Sequence, residues 1–140
     1  KREPFKWYPV SGPGETSWRN PSFNTGEWQP SVQAQREDPQ SLLNHYKALI
    51  NLRKETAALR IGSFVPLITG NRRVVGFRRE WDEEQVLVFH NIARSVQAVD
   101  LELEGEKRWV VLYSDGEYEL QQGDQGLKLE LSPCSSLLLW

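Results

Sequence analysis

Leu127-Lys128-Leu129-Glu130-Leu131-Ser132-Pro133 sets apolar and charged side chains in strict alternation and then stops on a serine and a proline. A period of two puts the three leucines on one face of an extended chain and Lys128 and Glu130 on the other, the pattern of a strand with one buried and one wet face. Gly123-Asp124 marks a turn ahead of it, and Ser136–Trp140 reads as the strand that follows. Working back along the chain, β-rich runs at Phe64–Ile68, Arg73–Glu80, Gln85–Asn91, Val96–Leu103, Arg108–Ser114 and Tyr118–Gln121 are punctuated by Gly70-Asn71, Trp81-Asp82-Glu83, Glu104-Gly105 and Asp115-Gly116. Eight short strands at even spacing predict a mainly β domain, an antiparallel β-sandwich, with Val110 and Leu112 facing the core as well as Leu127, Leu129 and Leu131. No repeat period links the runs, which argues against a propeller or solenoid.

Ahead of the strands the period changes. Asp38-Pro39-Gln40-Ser41 predicts a helix start, with the Asp38 carboxylate as N-cap and a proline in the first turn. Leu42, Leu43, Tyr46, Leu49, Ile50 and Arg53 then recur on one face of about four helical turns, while Asn44, Lys47, Asn51 and Lys54 lie elsewhere. Such a helix has one apolar side and is expected to dock on something. Ala57, Ala58 and Leu59 predict a last short turn, closed at Gly62. Residues 1–38 are rich in proline and glycine and show neither the helical nor the strand period, yet they hold Phe5, Trp7, Tyr8, Trp18, Phe23 and Trp28. That aromatic load predicts an ordered, packed loop rather than a disordered tail.

The composition narrows the function. A chain of 140 residues with 39% hydrophobic side chains can build a real core. With 17 basic against 19 acidic residues it lacks the electrostatic footprint that nucleic acid or anionic lipid would need, so neither is expected as a partner. The longest apolar run, Leu137–Trp140, is far too short to span a membrane, and no leader-like segment opens the chain, which reads as soluble. Cys134 is single, allows no internal disulfide, and reads as a small core residue. The chain lacks Met and begins Lys1-Arg2, the expectation for a piece of a longer polypeptide, so cytoplasmic and secreted locations both stay open.

At the junction of loop, helix and strands, Val32-Gln33-Ala34-Gln35 and the run Asp38-Pro39-Gln40-Ser41-Leu42-Leu43-Asn44-His45-Tyr46 through Arg53-Lys54 resemble glycoside hydrolase family 13, the α-amylase family. There a very similar stretch forms the last helix of a (β/α)8 barrel. Arg2-Glu3-Pro4-Phe5-Lys6-Trp7 resembles the Arg-x-Pro-apolar-x-Trp segment that follows barrel strand eight in oligoglucosidase-like members. Val74-Val75-Gly76-Phe77-Arg78-Arg79 and Val86-Leu87-Val88-Phe89-His90-Asn91 are similar to the second and third strands of the family's terminal sandwich, domain C. The resemblance implies two parts: residues 1–61 as the end of the catalytic barrel and residues 62–140 as the sandwich. It implies a parent that cleaves or transfers α-glucosidic bonds with retention, using an Asp nucleophile and a Glu acid/base on earlier barrel strands. None of those strand motifs occurs here, so no catalytic residue is nominated.

The loop after strand eight can reach a barrel's catalytic mouth. Sugar rings offer apolar C–H faces and polar hydroxyls, which suits flat aromatics with donors beside them. The resemblance therefore makes Arg2, Trp7, Tyr8 and Trp18 the expected substrate-binding residues, with an α-glucan or oligosaccharide and the remainder of the barrel as partners. No metal site and no cofactor are expected: His45 and His90 lack ligand-spaced companions. Asp82 with Glu83, and Glu102 with Glu104, read as solvated charge, and Trp81, Trp109 and Trp140 as core or rim aromatics of the sandwich. A rival reading is a free-standing starch-binding sandwich, for which a barrel-type amphipathic helix would be superfluous.

Overall fold

The computed structural model describes residues 3–23, 25, 30–103, 107–124 and 126–140, and the chain divides into two compact units, Lys1–Glu55 and Thr56–Trp140. Arg2, Trp28, Glu104 and Gly105, all read above, lie outside the described residues.

The first unit is a long loop followed by helices α1 (Val32–Glu37) and α2 (Leu42–Glu55). Helix α1 falls inside a stretch expected to be irregular throughout. Ser31 explains it: its hydroxyl accepts from the Ala34 N–H at 3.2 Å, capping a turn too short to show a period. Helix α2 starts three residues later than the proline suggested. The Asp38 carboxylate accepts from the Gln40 N–H at 2.9 Å and so makes a local turn, while the Ser41 hydroxyl takes the Asn44 N–H at 3.3 Å and acts as the cap. No residue of α2 is buried within the chain: Leu42, Tyr46 and Ile50 are 66%, 57% and 50% exposed.

The second unit opens with α3 (Ala57–Ile61) and continues as eight strands: β1 (Ser63–Leu67), β2 (Val74–Trp81), β3 (Glu84–Asn91), β4 (Gln97–Glu102), β5 (Val111–Ser114), β6 (Tyr118–Gly123), β7 (Gly126–Leu131) and β8 (Ser136–Leu139). They form two antiparallel sheets, ordered β1-β2-β3-β8-β5 and β4-β7-β6. All eight expected strands are present, and Val74–Trp81 and Glu84–Asn91 are the second and third, as the resemblance implied. Leu127, Leu129 and Leu131 meet Leu87, Phe89, Leu137 and Leu139 in the core, all nearly sealed from water. Each such side chain contributes about 1.5–3 kcal/mol relative to exposure.

Sheet geometry also overturns two assignments. Val110 is exposed and Leu112, only half-buried, is not part of the core, whereas Trp109 is buried in it and Val111 packs against it, so the strand alternates in the opposite phase, and the β5–β8 register then shifts between Val111 and Tyr113. A bulge adds a residue to one strand and reverses which side chains face inward. Cys134 is exposed rather than a core residue, since it sits with φ of 52° in the turn before β8, where its backbone N–H bonds Ala93 O. Gly126 is required by a close approach: a Cβ there would run into Leu101 O on the facing strand β4.

The ends of the sandwich are tied by polar side chains. Asn91, 2% exposed, sends its Nδ2 to the carbonyls of Ser95, Leu131 and Ser132 at 2.9, 3.1 and 2.8 Å and receives the Ala93 N–H on Oδ1. One buried amide thus joins the end of β3 to the end of β7, with its polar atoms satisfied. Gln122 imitates a strand beside Trp109, donating to its carbonyl at 2.7 Å and accepting its N–H at 2.8 Å.

Candidate functional site

The loop of the first unit is shaped by two carboxylates that reach across it. Glu15 Oε1 accepts the backbone N–H groups of Trp7 and Tyr8 at 3.2 and 3.1 Å. Glu3 accepts those of Ser22 and Phe23 at 2.7 and 3.1 Å. The first residues of α1 close the same segment from the other side: Val32 and Gln33 donate to the carbonyls of Lys6 and Trp7 at 3.1 and 3.0 Å. Backbone that would otherwise need water is satisfied internally, which is how a segment of such composition holds a conformation.

Within this frame Trp7 is 46% exposed and stands edge-on to Phe5, with ring centroids 5.4 Å apart. Tyr8 is half-buried over Gly12, where any side chain would strike its ring. Trp18 is 83% exposed. Arg2 falls outside the described residues. The three described nominees are near one another in sequence, but none of them walls the cleft that opens on this unit. A cleft of about 480 Å³ does open on this unit, and its walls come from Phe5, Lys6, Val10, Ser11, Thr16 and Asn20, with rigid prolines between them. Phe5 was read as part of the aromatic load; Ser11, Thr16 and Asn20 carry no sequence signal, because carboxylate bonds spanning 19 and 20 residues bring the walls together.

The helix motif that carries the resemblance turns out to be a structural knot. Asn44 Nδ2 donates to the carbonyls of Gln35 and Asp38 at 2.9 and 2.8 Å, and Gln35 Oε1 accepts the Leu43 N–H at 3.1 Å. These side chains satisfy the last carbonyls of α1 and the first amides of α2, the orphan groups at two helix ends. Their role is to fix the bend, leaving the chemistry of a site to the loop.

On the sandwich, His90 lies half-buried on the outer face of the five-stranded sheet, its Nδ1 2.9 Å from Ser136 Oγ and its ring 6.0 Å from that of Phe77. Burial pushes its pKa down, and the nearby Asp115 partly opposes this. Asp115 itself accepts the Ser136 N–H. Lys107 sits over the Trp109 ring, 4.4 Å from its centroid, and partial burial lowers its pKa. Trp109 is a core residue, and Trp81 and Trp140 are rim residues about half exposed. Asp82, Glu83 and Glu102 are exposed, in keeping with solvated charge. Among the described residues no group of three or more His, Cys, Asp and Glu is placed to hold a metal ion. Nor is any described helix long and apolar enough to cross a membrane.

Two antiparallel sheets of five and three strands define the terminal β-sandwich found in α-amylase-family enzymes. More particularly, the chain belongs to the family described as the maltogenic amylase C-terminal domain, whose profile matches residues 64–138. Among curated relatives, α-amylase 3 of Dictyoglomus thermophilum is 32% identical over 94 residues, 66% of this chain and 19% of its own length. A trehalose synthase of Thermus thermophilus is 38% identical over 119 residues, 77% of this chain and 12% of its own length. The solved α-amylase from H. orenii superposes with a TM-score of 0.77 at 28% identity, covering 96% of this chain and 27% of that one. The chain thus spans less than a fifth of the length of these two curated relatives.

Proposed function

We propose that this chain is the carboxy-terminal part of a retaining, α-glucan-acting glycoside hydrolase or glucanotransferase. In this reading residues 1–61 complete a catalytic (β/α)8 barrel as its strand-eight loop and final helix, and residues 62–140 are the sandwich that supports it. The chain supplies structure and a substrate-side loop bearing Arg2, Trp7, Tyr8 and Trp18, while the nucleophile and acid/base come from the rest of the barrel. The enzyme that this part completes acts on oligosaccharide rather than on nucleic acid or lipid.

The observation that carries the reading is α2: directly ahead of a domain of amylase type in the sequence stands an amphipathic helix whose apolar side is left exposed by the described residues at Leu42, Tyr46 and Ile50. Apolar surface of this kind is costly in water and is normally an interface. A free-standing starch-binding sandwich would have no use for it. The relatives named as α-amylase and trehalose synthase support an α-glucoside as the substrate class.

The test is reducing-sugar release by the purified chain. No turnover of starch, maltooligosaccharides or isomaltose above buffer is expected, because the carboxylate pair that this chemistry needs is not carried here. Activity that survives repurification would overturn the assignment.

A further inference from the structure

We propose that one end of the sandwich is a self-complementary surface on which two copies of this chain pair about a two-fold axis, the arginine-bearing turns of each copy meeting the glutamates of the other. The inference uses only residues of Thr56–Trp140 and does not rest on the α-glucan reading. Arg72 and Arg73 lie in the turn before β2 and Arg94 in the bend after β3, and the pairing of Val74 with Asn91 puts both at one end of the sheet. The Asn71 side chain fastens this turn to the start of β4. Its Nδ2 donates to Gln97 Oε1 and Ala98 O at 3.1 and 3.0 Å, and its Oδ1 accepts the Arg73 N–H at 3.0 Å. Gln97 and Tyr118 are both in register with Leu131, so the start of β6 belongs to the same end.

Charges of both signs are presented there. Arg72, Arg73 and Arg94 are exposed, and none forms an ion pair with a described residue. Glu117, Glu119 and Glu130 are exposed as well. Glu119 stands directly opposite Glu130 on the neighbouring strand, a pairing that is unfavourable by itself, and the nearby Lys128 is already held by Asp100 at 3.3 Å. Val96 and Tyr118, 58% and 40% exposed, share a cleft of about 370 Å³ with these three glutamates. An apolar centre with a charged rim is the usual anatomy of a protein interface. Three cations and three anions on one surface make it complementary to a second copy of itself: after half a turn each sign meets the other twice, and the assembly closes as a dimer. Because Asn71 already fixes the arginine turn, little freedom is lost when the partner arrives.

The experiment is sedimentation of the full 140-residue chain at low and high salt. A monomer–dimer equilibrium is expected, weakened on the order of tenfold between about 0.05 and about 0.5 M NaCl as the charges are screened. Tyr118→Ala should weaken it on the order of tenfold. Two charge reversals carry the test: Arg72→Glu with Arg73→Glu, and Glu119→Arg with Glu130→Arg. Each should be monomeric alone, while an equimolar mixture should form a heterodimer tighter than the unsubstituted dimer, a gain that only folded variants can show. A mixture that stays monomeric overturns the proposal. So does an unsubstituted chain that is monomeric at low salt, which would leave this end to a different protein. A dimer indifferent to salt and to both reversals, but abolished by Leu42→Lys with Tyr46→Lys, places the contact on α2 and overturns it too.

Discussion

The two units of this chain hold their conformations by opposite means. Thr56–Trp140 is sealed by apolar side chains, with Leu87, Phe89, Leu137 and Leu139 losing all contact with water. Among the described residues Lys1–Glu55 fully buries none of its aromatics and satisfies backbone groups with Glu3, Glu15, Gln35, Ser41 and Asn44. Burial stabilises in proportion to area and is indifferent to direction; a hydrogen-bonded loop gains little net energy per bond but fixes orientation. A sandwich of the first kind can stand as a domain. A loop of the second kind can hold its shape and leave rings such as Phe5 and Trp18 exposed.

Mutations can break this contrast, and the largest effect belongs to the sandwich. Phe89→Ala should cost about 3–5 kcal/mol, since it leaves a cavity at the centre of both sheets. Urea melts followed by tryptophan fluorescence would measure it, and a loss under about 1 kcal/mol would mean the core can collapse around the gap. In the first unit, Ser41→Ala should cost only about 1 kcal/mol, the usual value of a lost helix cap. That loss should appear as lower helix content at 222 nm, with the sandwich's own unfolding midpoint unmoved. A shift of that midpoint would show that the two units melt together.

These assignments were unequally legible. The alternation in β7 was readable because its period and its burial agree, Leu127, Leu129 and Leu131 in and Lys128 and Glu130 out. The same logic failed at β5, where Trp109 and Val111 face inward in place of Val110 and Leu112 and a bulge then interrupts the alternation between Val111 and Tyr113. No local feature of Arg108–Ser114 announces that extra residue. Asp38 and Ser41 are both good caps by residue type, and the choice was decided by distant partners, since Ser41 Oγ also donates to Gln35 O. Cys134 was misread because residue type says nothing about a left-handed turn. The loop of the candidate site was visible as an aromatic segment, but not the cleft, whose walls are assembled by long-range carboxylate bonds.

The smallest effect is expected from pH, and it sharpens the comparison because it reports on the sandwich alone. His90 has its pKa lowered from 6.5, by burial first, with Asp115 acting in the opposite sense. The unfolded chain therefore binds a proton more readily than the folded one, so the contribution is fully present above pH 6.5 and is lost as pH falls through the lowered folded value. Asp115 and Tyr113 are the other titratable groups coupled to this corner of the sheet. Tm measured between pH 7.5 and about 5 should drop less in His90→Gln than in the unsubstituted chain. Identical slopes would show that His90 protonates without penalty.

The short helix α3 has a consequence for where such a domain can be cut. Glu84, at the start of β3, accepts the Ala58 N–H at 2.7 Å, while Thr56 and Ala58 are buried and Arg79 donates to Gly62 O at 2.7 Å. The family match begins only at residue 64. A sandwich excised there would strand the Glu84 carboxylate and the Arg79 guanidinium without these partners and uncover the sheet surface on which α3 rests. The compact unit begins at Thr56, ahead of the family match, and an excision that keeps α3 leaves these bonds whole.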